Sequence, residues 1–161
     1  MHRPIRRPEE ILAYRSLQTI IASKPAAVWS VAPPDSIQAA LQLMSDKDTG
    51  FLVVLDRGGL VGVLSERDCA RRVALAGKSP AVTTVAEIMV RTVVTASLAF
   101  TFADCLKLMH DNKVRHLPVV DGSKVVAVVS VRDLLSEAVA HHARIISELE
   151  RERMMMLTSM A

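Results

Sequence analysis

Aromatic residues are scarce in this chain, with three Phe, one Tyr and one Trp among 161 residues. So few stacking platforms disfavour a binder of single-stranded nucleic acid. Charge of one sign is not concentrated either: 20 Lys and Arg are interspersed with 17 Asp and Glu, for a net charge of +3. The clusters Arg3/Arg6/Arg7 and Arg67/Arg71/Arg72 read as solvated faces, and nucleic acid is not an expected partner. No apolar run approaches the roughly 18 residues of a membrane span, so no membrane partner is expected. The first residues, MHRPIRRPEEILAYRS, include Glu9 and Glu10 and lack an apolar signal core, which argues against secretion. Cys69 and Cys105, the two cysteines, lie in apolar, helix-like stretches and not in a C-x-x-C arrangement. Buried free thiols in a reducing cytoplasm are the expectation. Phosphate loops and dinucleotide glycine fingerprints are absent from the sequence.

What the chain does have is itself, twice. Sliding residues 29–69 forward by 65 positions lays them on 94–134 without a gap, and twelve of the 41 pairs are identical, including Leu52/Leu117, Asp56/Asp121, Val63/Val128, Ser65/Ser130, Arg67/Arg132 and Asp68/Asp133. Eight of the other 29 pairs exchange one apolar residue for another. The chain is a tandem duplication, and the polar positions kept in both copies are the first candidates for function. Each copy is marginal in size for an independent core, so the two are expected to bury a shared face within one body.

Each copy reads as strand, helix, strand, strand, helix. A short apolar strand at 28–31, or 93–95, precedes a helix over 36–45, or 101–110, with Ser36 or Thr101 at the N-cap. The strands 51–55 and 116–120 each end in an aspartate that begins a turn, and 60–64 or 125–129 returns as a hairpin. A second helix opens at Ser65-Glu66-Arg67-Asp68 and runs to about residue 76; its counterpart opens at Ser130-Val131-Arg132-Asp133 and runs through 140. Thr84-Val85-Ala86-Glu87 reads as a capping box between the copies. Residues 9–22 form an expected N-terminal helix outside the duplication, an added arm packed on the repeated core. Past 140 the last helix continues through residues of alternating charge, a tail suited to oligomer contact. The expected fold is mixed α/β (α+β): an N-terminal helical arm (1–23), two β-α-β-β-α repeats (24–85 and 86–140) related by a pseudo-two-fold, and an extended C-terminal helix (141–161).

The two Ser-x-Arg-Asp segments carry the chemistry, and two readings fit their spacing equally. In one, Ser followed three residues later by Asp is a helix-capping box and nothing more. In the other, the free N–H groups of a helix start, a Ser hydroxyl and an Arg suit a phosphate, while the carboxylate accepts from the two hydroxyls of a ribose. Catalysis is not expected, because His116 has no partner group kept in both copies. Metal binding is not expected either: His141 and His142 are adjacent on a helix and point apart.

The segment Arg115-His116-Leu117-Pro118-Val119-Val120-Asp121, followed by Val128-Val129-Ser130-Val131-Arg132-Asp133, together with the twofold element order, resembles the cystathionine-β-synthase (CBS) domain pair, or Bateman module. The resemblance covers about residues 24–140, and Leu64-Ser65-Glu66-Arg67-Asp68-Cys69-Ala70-Arg71 is similar to small stand-alone bacterial members. It implies a non-enzymatic regulatory module for signal transduction. The ligand would be an adenosine-containing effector (AMP, ADP, ATP or NAD, with S-adenosylmethionine also possible) bound in the cleft between repeats. Pairs would assemble as a disc-shaped homodimer acting on a separate regulated protein. By position, Asp68 and Asp133 would each hold a ribose, with Ser65 and Ser130 near ribose or phosphate. Val63 and Val128 would flank adenine, Ser36 and Thr101 could each add a hydroxyl, and Arg67 and Arg132 stand within the motifs. Arg115 and His116 would reach the phosphate of the Asp68 site. Their counterparts Gly50 and Phe51 leave the Asp133 site without a basic pair, and it is expected to be the weaker phosphate site. The alternative is a dimeric adaptor that regulates a partner without obligatory ligand.

Overall fold

The structure, a computed structural model, describes residues 13–25 and 27–159. Its elements are α1 (Leu17–Ala22), β1 (Ser30–Val31), α2 (Ile37–Asp46), β2 (Phe51–Asp56), β3 (Gly59–Ser65), α3 (Glu66–Cys69), α4 (Val85–Ile88), β4 (Ala96–Ser97), α5 (Phe102–Asn112), β5 (His116–Asp121), β6 (Lys124–Ser130) and α6 (Val131–Ser159). They form two three-stranded sheets, β1-β2-β3 and β4-β5-β6, each with one parallel and one antiparallel pair.

The duplication holds to the level of hydrogen-bond register. Phe51 pairs with Ser65 as His116 pairs with Ser130, and both hairpins slip register at the same place, between Val54 and Leu55 and between Val119 and Val120. The first hairpin closes on two residues of positive φ and the second on one, a conformation glycine supplies without steric cost. Gly58 takes φ 82° beside Arg57 at 49°, and Gly122 takes φ 59°. Proline breaks the symmetry at one point. Val53 donates its N–H to the Trp29 carbonyl; its counterpart, Pro118, has no N–H to give. The parallel pairing in the second copy accordingly begins one position later, and β4 lies at Ala96–Ser97 instead of the expected 93–95.

Each repeat has its own apolar cluster. The first gathers Ile37, Ala40 and Met44 of α2 with Leu52, Val54 and Leu64 of the sheet; the second gathers Phe102, Cys105 and Met109 of α5 with Leu117, Val119 and Val129. A fully buried aliphatic side chain contributes roughly 1.5–3 kcal/mol, so these facing positions hold each layer together. The sheets meet through β3 and β6. Val53, completely buried, belongs to the opposite strand face from Leu52 and Val54.

The N-terminal helix differs from expectation in extent and in kind. Residues 13–16 are not helical, and Ser16 caps α1 by accepting from the Thr19 N–H; the remainder of the expected helix, residues 9–12, lies outside the described residues. Nor is α1 an addition to the duplicated core. Leu17 and Ile20 complete the cluster of the second repeat as Val85 and Ile88 of α4 complete that of the first. Ser16 and Thr84 are both N-caps. The two short helices are therefore equivalent at an offset of 68, and three additional residues between α1 and β1 hide the correspondence from a gapless comparison. Each repeat's leading helix packs into the core of the other.

The second helices of the repeats diverge. α3 passes after one turn into a π-helical turn over Ala70–Ala74, ending sooner than residue 76, whereas α6 continues unbroken for 29 residues. Beyond His141 its apolar residues Ile146, Leu149, Met154, Met155, Met156 and Leu157 are exposed.

Candidate functional site

Both Ser-x-Arg-Asp segments sit where a strand hands over to a helix, and both form reciprocal caps. Asp68 accepts from the Ser65 N–H at 3.2 Å and hydroxyl at 2.5 Å, while its own N–H donates to the Ser65 hydroxyl at 3.2 Å. Asp133 accepts from the Ser130 N–H at 2.7 Å and hydroxyl at 2.8 Å, with the return bond again at 3.2 Å. This is the geometry of the capping box. One carboxylate oxygen in each box does this work, leaving Oδ1 with further acceptor capacity.

The boxes differ in one cation. Lys24 donates from Nζ to Asp133 Oδ2 at 2.6 Å and to the Val128 carbonyl at 2.9 Å. Among the described residues Asp68 has no such ion pair. Burial pushes the Asp133 carboxyl up, but Lys24 and the Ser130 N–H and hydroxyl together hold it below the ordinary carboxylate range. The first copy fills the place of the Lys24–Val128 bond with backbone: Val63 and Val90 exchange bonds of 3.0 and 2.9 Å. Expectation left the Asp133 site without a basic pair, and the lysine that pairs with its carboxylate escaped the duplication argument because position 89, 65 residues on, is methionine. The available signal was local, since Lys24 is the only charged residue between Arg15 and Asp35.

His116 stacks on Phe51 with centroids 4.6 Å apart. Burial, followed by repulsion from Arg115, lowers its pKa; Asp133 pulls it up and Lys24 pushes it down again. The charged groups that act on this ring therefore belong to the second repeat and to the N-terminal segment. Ser36 and Thr101 cap α2 and α5, accepting from the N–H groups of Ala39 and Asp104. Among the described residues neither hydroxyl bonds to Asp68 or Asp133. Arg67, Arg115 and Arg132 are exposed, with side chains free of hydrogen bonds to described residues.

Beside the Asp133 box lies a cavity of about 230 Å³ lined by Arg15, Lys24, Asp133, Ser136 and Glu137, among others. Glu137 is buried and anchors its far wall. It accepts from Arg144 at 2.7 Å and from the Arg15 N–H at 3.3 Å, and pairs with Arg15 Nε at 3.4 Å. Burial raises the Glu137 pKa, but these two arginines outweigh it and the net shift is downward. Tyr14 stacks on Phe102 at 4.0 Å and tilts over His141 at 4.2 Å. Aromatic contact and ion pair thus fasten the segment leading into α1 onto α5 and α6. Sequence reasoning missed this network, whose members lie 122 positions apart.

Cys69 and Cys105 are free and buried. Burial, then the charge of the neighbouring Asp68 or Asp104, pushes each thiol up to about 11, which makes both poor nucleophiles. No cluster of three or more His, Cys, Asp or Glu side chains suited to a metal occurs among the described residues. No described helix is long and apolar enough to cross a membrane.

Known proteins share this arrangement. The family of the CBS domain matches residues 21–75 and 85–140. The CBS domain-containing protein YhcV of Bacillus subtilis is 34% identical over 107 residues, covering 66% of this chain and 76% of that protein. A solved structure of a CBS-domain protein from Burkholderia ambifaria, proposed to act in signal transduction, superposes with a TM-score of 0.76 at 33% identity, over 78% of this chain and 95% of that one. The CBS domain pair of protein MJ0100, solved in complex with 5′-methylthioadenosine and S-adenosyl-L-methionine, superposes with a TM-score of 0.67 at 27% identity, over 76% and 94% of the two chains. Two matched segments, two sheets in a common register and two capped strand-to-helix junctions agree: the chain belongs to the CBS domain family and carries a pair of CBS domains.

Proposed function

We propose that this CBS pair is a non-enzymatic regulatory module that binds an adenosine-containing effector of the AMP, ADP, ATP, NAD or S-adenosylmethionine class, with the Asp68 box as its principal site. The observation that carries the reading is the Asp68 carboxylate, fixed at a helix start by Ser65 and left with an oxygen able to accept from ribose hydroxyls. The adenosine ligands of the MJ0100 pair support the ligand class. Ser65, with exposed Arg67 beside it, suits the phosphate end of such a ligand, and Val63 suits the base. Arg115 and His116 are proposed to approach the phosphate of this site. Ser36 and Thr101 have the weakest support, since among the described residues neither hydroxyl bonds to Asp68 or Asp133.

The test is thermal unfolding of ligand-free protein with AMP, ADP, ATP, NAD and S-adenosylmethionine, for the wild type and Asp68→Ala. A ligand at a hundred times its dissociation constant adds about 2.7 kcal/mol. Stabilisation by one of these ligands that Asp68→Ala abolishes supports the reading; no shift with any of them refutes it.

A second reading, in which the module acts by protein contact, is favoured by the C-terminal helix. Leu135, Val139, Ile146, Leu149 and Met156 are exposed and fall on the four-three positions of a helix seam, whose two remaining positions over this stretch are His142 and Arg153. The same spacing in every copy makes the seam self-complementary in register, so the partner we propose is a second copy of the chain. Homodimerisation would then place two principal effector sites, one Asp68 box from each copy, in one regulatory body, and a change of dimer contacts would report occupancy to a separate protein. The cytoplasm remains the proposed compartment, in keeping with the two buried free thiols.

A further inference from the structure

Resting on the adenosine-site reading, we infer that Lys24 is a built-in occupant of the Asp133 box, so that the second site admits a nucleoside only by expelling the chain's own ammonium. The Lys24 Nζ lies 2.6 Å from Asp133 Oδ2 and 2.9 Å from the Val128 carbonyl. Both are acceptors, and a nucleoside brings donors: two ribose hydroxyls and, on adenine, an exocyclic amine. One ammonium therefore takes the carbonyl and one carboxylate oxygen, Oδ2, and neutralises the charge that would draw those donors, leaving only Asp133 Oδ1 unbonded among the described residues. The first repeat has no counterpart, because there the corresponding carbonyl bonds to the Val90 N–H and the carboxylate of Asp68 meets only Ser65 among the described residues. The asymmetry comes from the chain between α1 and β1, whose three additional residues put Lys24 where the first repeat has backbone.

The occupant is held but not sealed in. Its side chain is one-third exposed and borders the cavity of about 230 Å³, so the ammonium has space to swing clear of the carboxylate. The segment carrying it is fastened separately, by Arg15 on Glu137 and by Leu17 and Ile20 in the second core. Removing the ammonium alone therefore leaves the segment docked. The two sites of the pair bind unequally for this reason, the Asp68 box first and the Asp133 box in competition with Lys24.

Adenosine, which has no phosphate for Lys24 to attract, is the probe. Calorimetric titration of the full chain in an Asp68→Ala background reads the Asp133 box alone. Lys24→Met, which keeps the aliphatic stem and removes the charge, is expected to tighten adenosine about ten- to hundredfold, the range of a charge-assisted hydrogen bond; Lys24→Arg, which keeps the charge, is expected to leave it weak. Unchanged or weaker binding in Lys24→Met, while the wild type binds adenosine through Asp68, overturns this inference and leaves the effector reading standing. Absence of adenosine binding in wild type and in Lys24→Met alike overturns both.

Discussion

Phe51 and His116 stack with ring centroids 4.6 Å apart and planes 10° from parallel, and they are the same position of the two repeats, 65 residues apart. Equivalent residues that touch each other straddle the axis relating their copies, so this stack marks the pseudo-two-fold of the CBS pair. β3 and β6, also equivalent, meet nearby. The stack lies between the two apolar clusters, alongside the β3–β6 contact and the exchanged helices α1 and α4, and its loss falls on the interface between repeats. Phe51→Ala is expected to lower stability by about 1–3 kcal/mol, read as a lower denaturation midpoint, whereas Phe51→Tyr is expected to retain the wild-type midpoint.

His116 makes that interface sensitive to pH. An unfolded histidine titrates near 6.5, and burial together with Arg115 sets the folded value lower. A base whose folded pKa is depressed holds fewer protons folded than unfolded. Its contribution is complete above about pH 6.5 and is lost as pH falls through the folded value. Chemical denaturation at pH 7.5 and 5.5 is expected to show wild type losing stability on acidification, and His116→Phe, which keeps an aromatic partner for Phe51, losing less.

Glu137 ties the N-terminal segment to α6 through Arg15, and Arg144, one of the same helix's own residues, holds its carboxylate in place. Glu137→Ala is expected to cost about 1–3 kcal/mol and to expose the chain before α1 to limited proteolysis. Its folded pKa is depressed, so as a carboxylate it stabilises above the unfolded value near 4.3 and loses that contribution as pH falls through the folded one. A wild-type rate of cleavage there in Glu137→Ala contradicts the assignment.

The exposed seam on α6 predicts self-association. In analytical ultracentrifugation the wild type is expected to sediment as a dimer, and Ile146→Asp with Leu149→Asp to sediment as a monomer with an unchanged thermal midpoint for the CBS core. Monomeric wild type at tens of micromolar contradicts a second copy as the occupant of the seam.

The duplicated fold was legible because register, turn residues and apolar alternation are local and were copied together. The hairpin slip, the capped helices and both Ser-x-Arg-Asp boxes lie at one constant offset. What escaped were relationships that cross the offset. α1 reads as an added arm because its true counterpart is 68 residues away, and β4 lies later than the pattern places it because Pro118 removes one donor of the parallel pair. The Lys24–Asp133 pair spans 109 positions and the Arg15–Glu137 contact 122, distances over which pattern alone names no partner. The π turn after Cys69, between copies whose first turns match, has no cue in residue spacing.

The central claim, that a copied capping box is also an effector site, is tested most directly by titrating AMP into ligand-free wild type, Asp68→Ala and Asp133→Ala by calorimetry. The account predicts saturable binding that Asp68→Ala weakens at least tenfold and Asp133→Ala alters little, because Lys24 already fills the second box. Equal affinity in all three proteins, or no heat in any of them, would contradict it and leave Asp68 a helix cap alone.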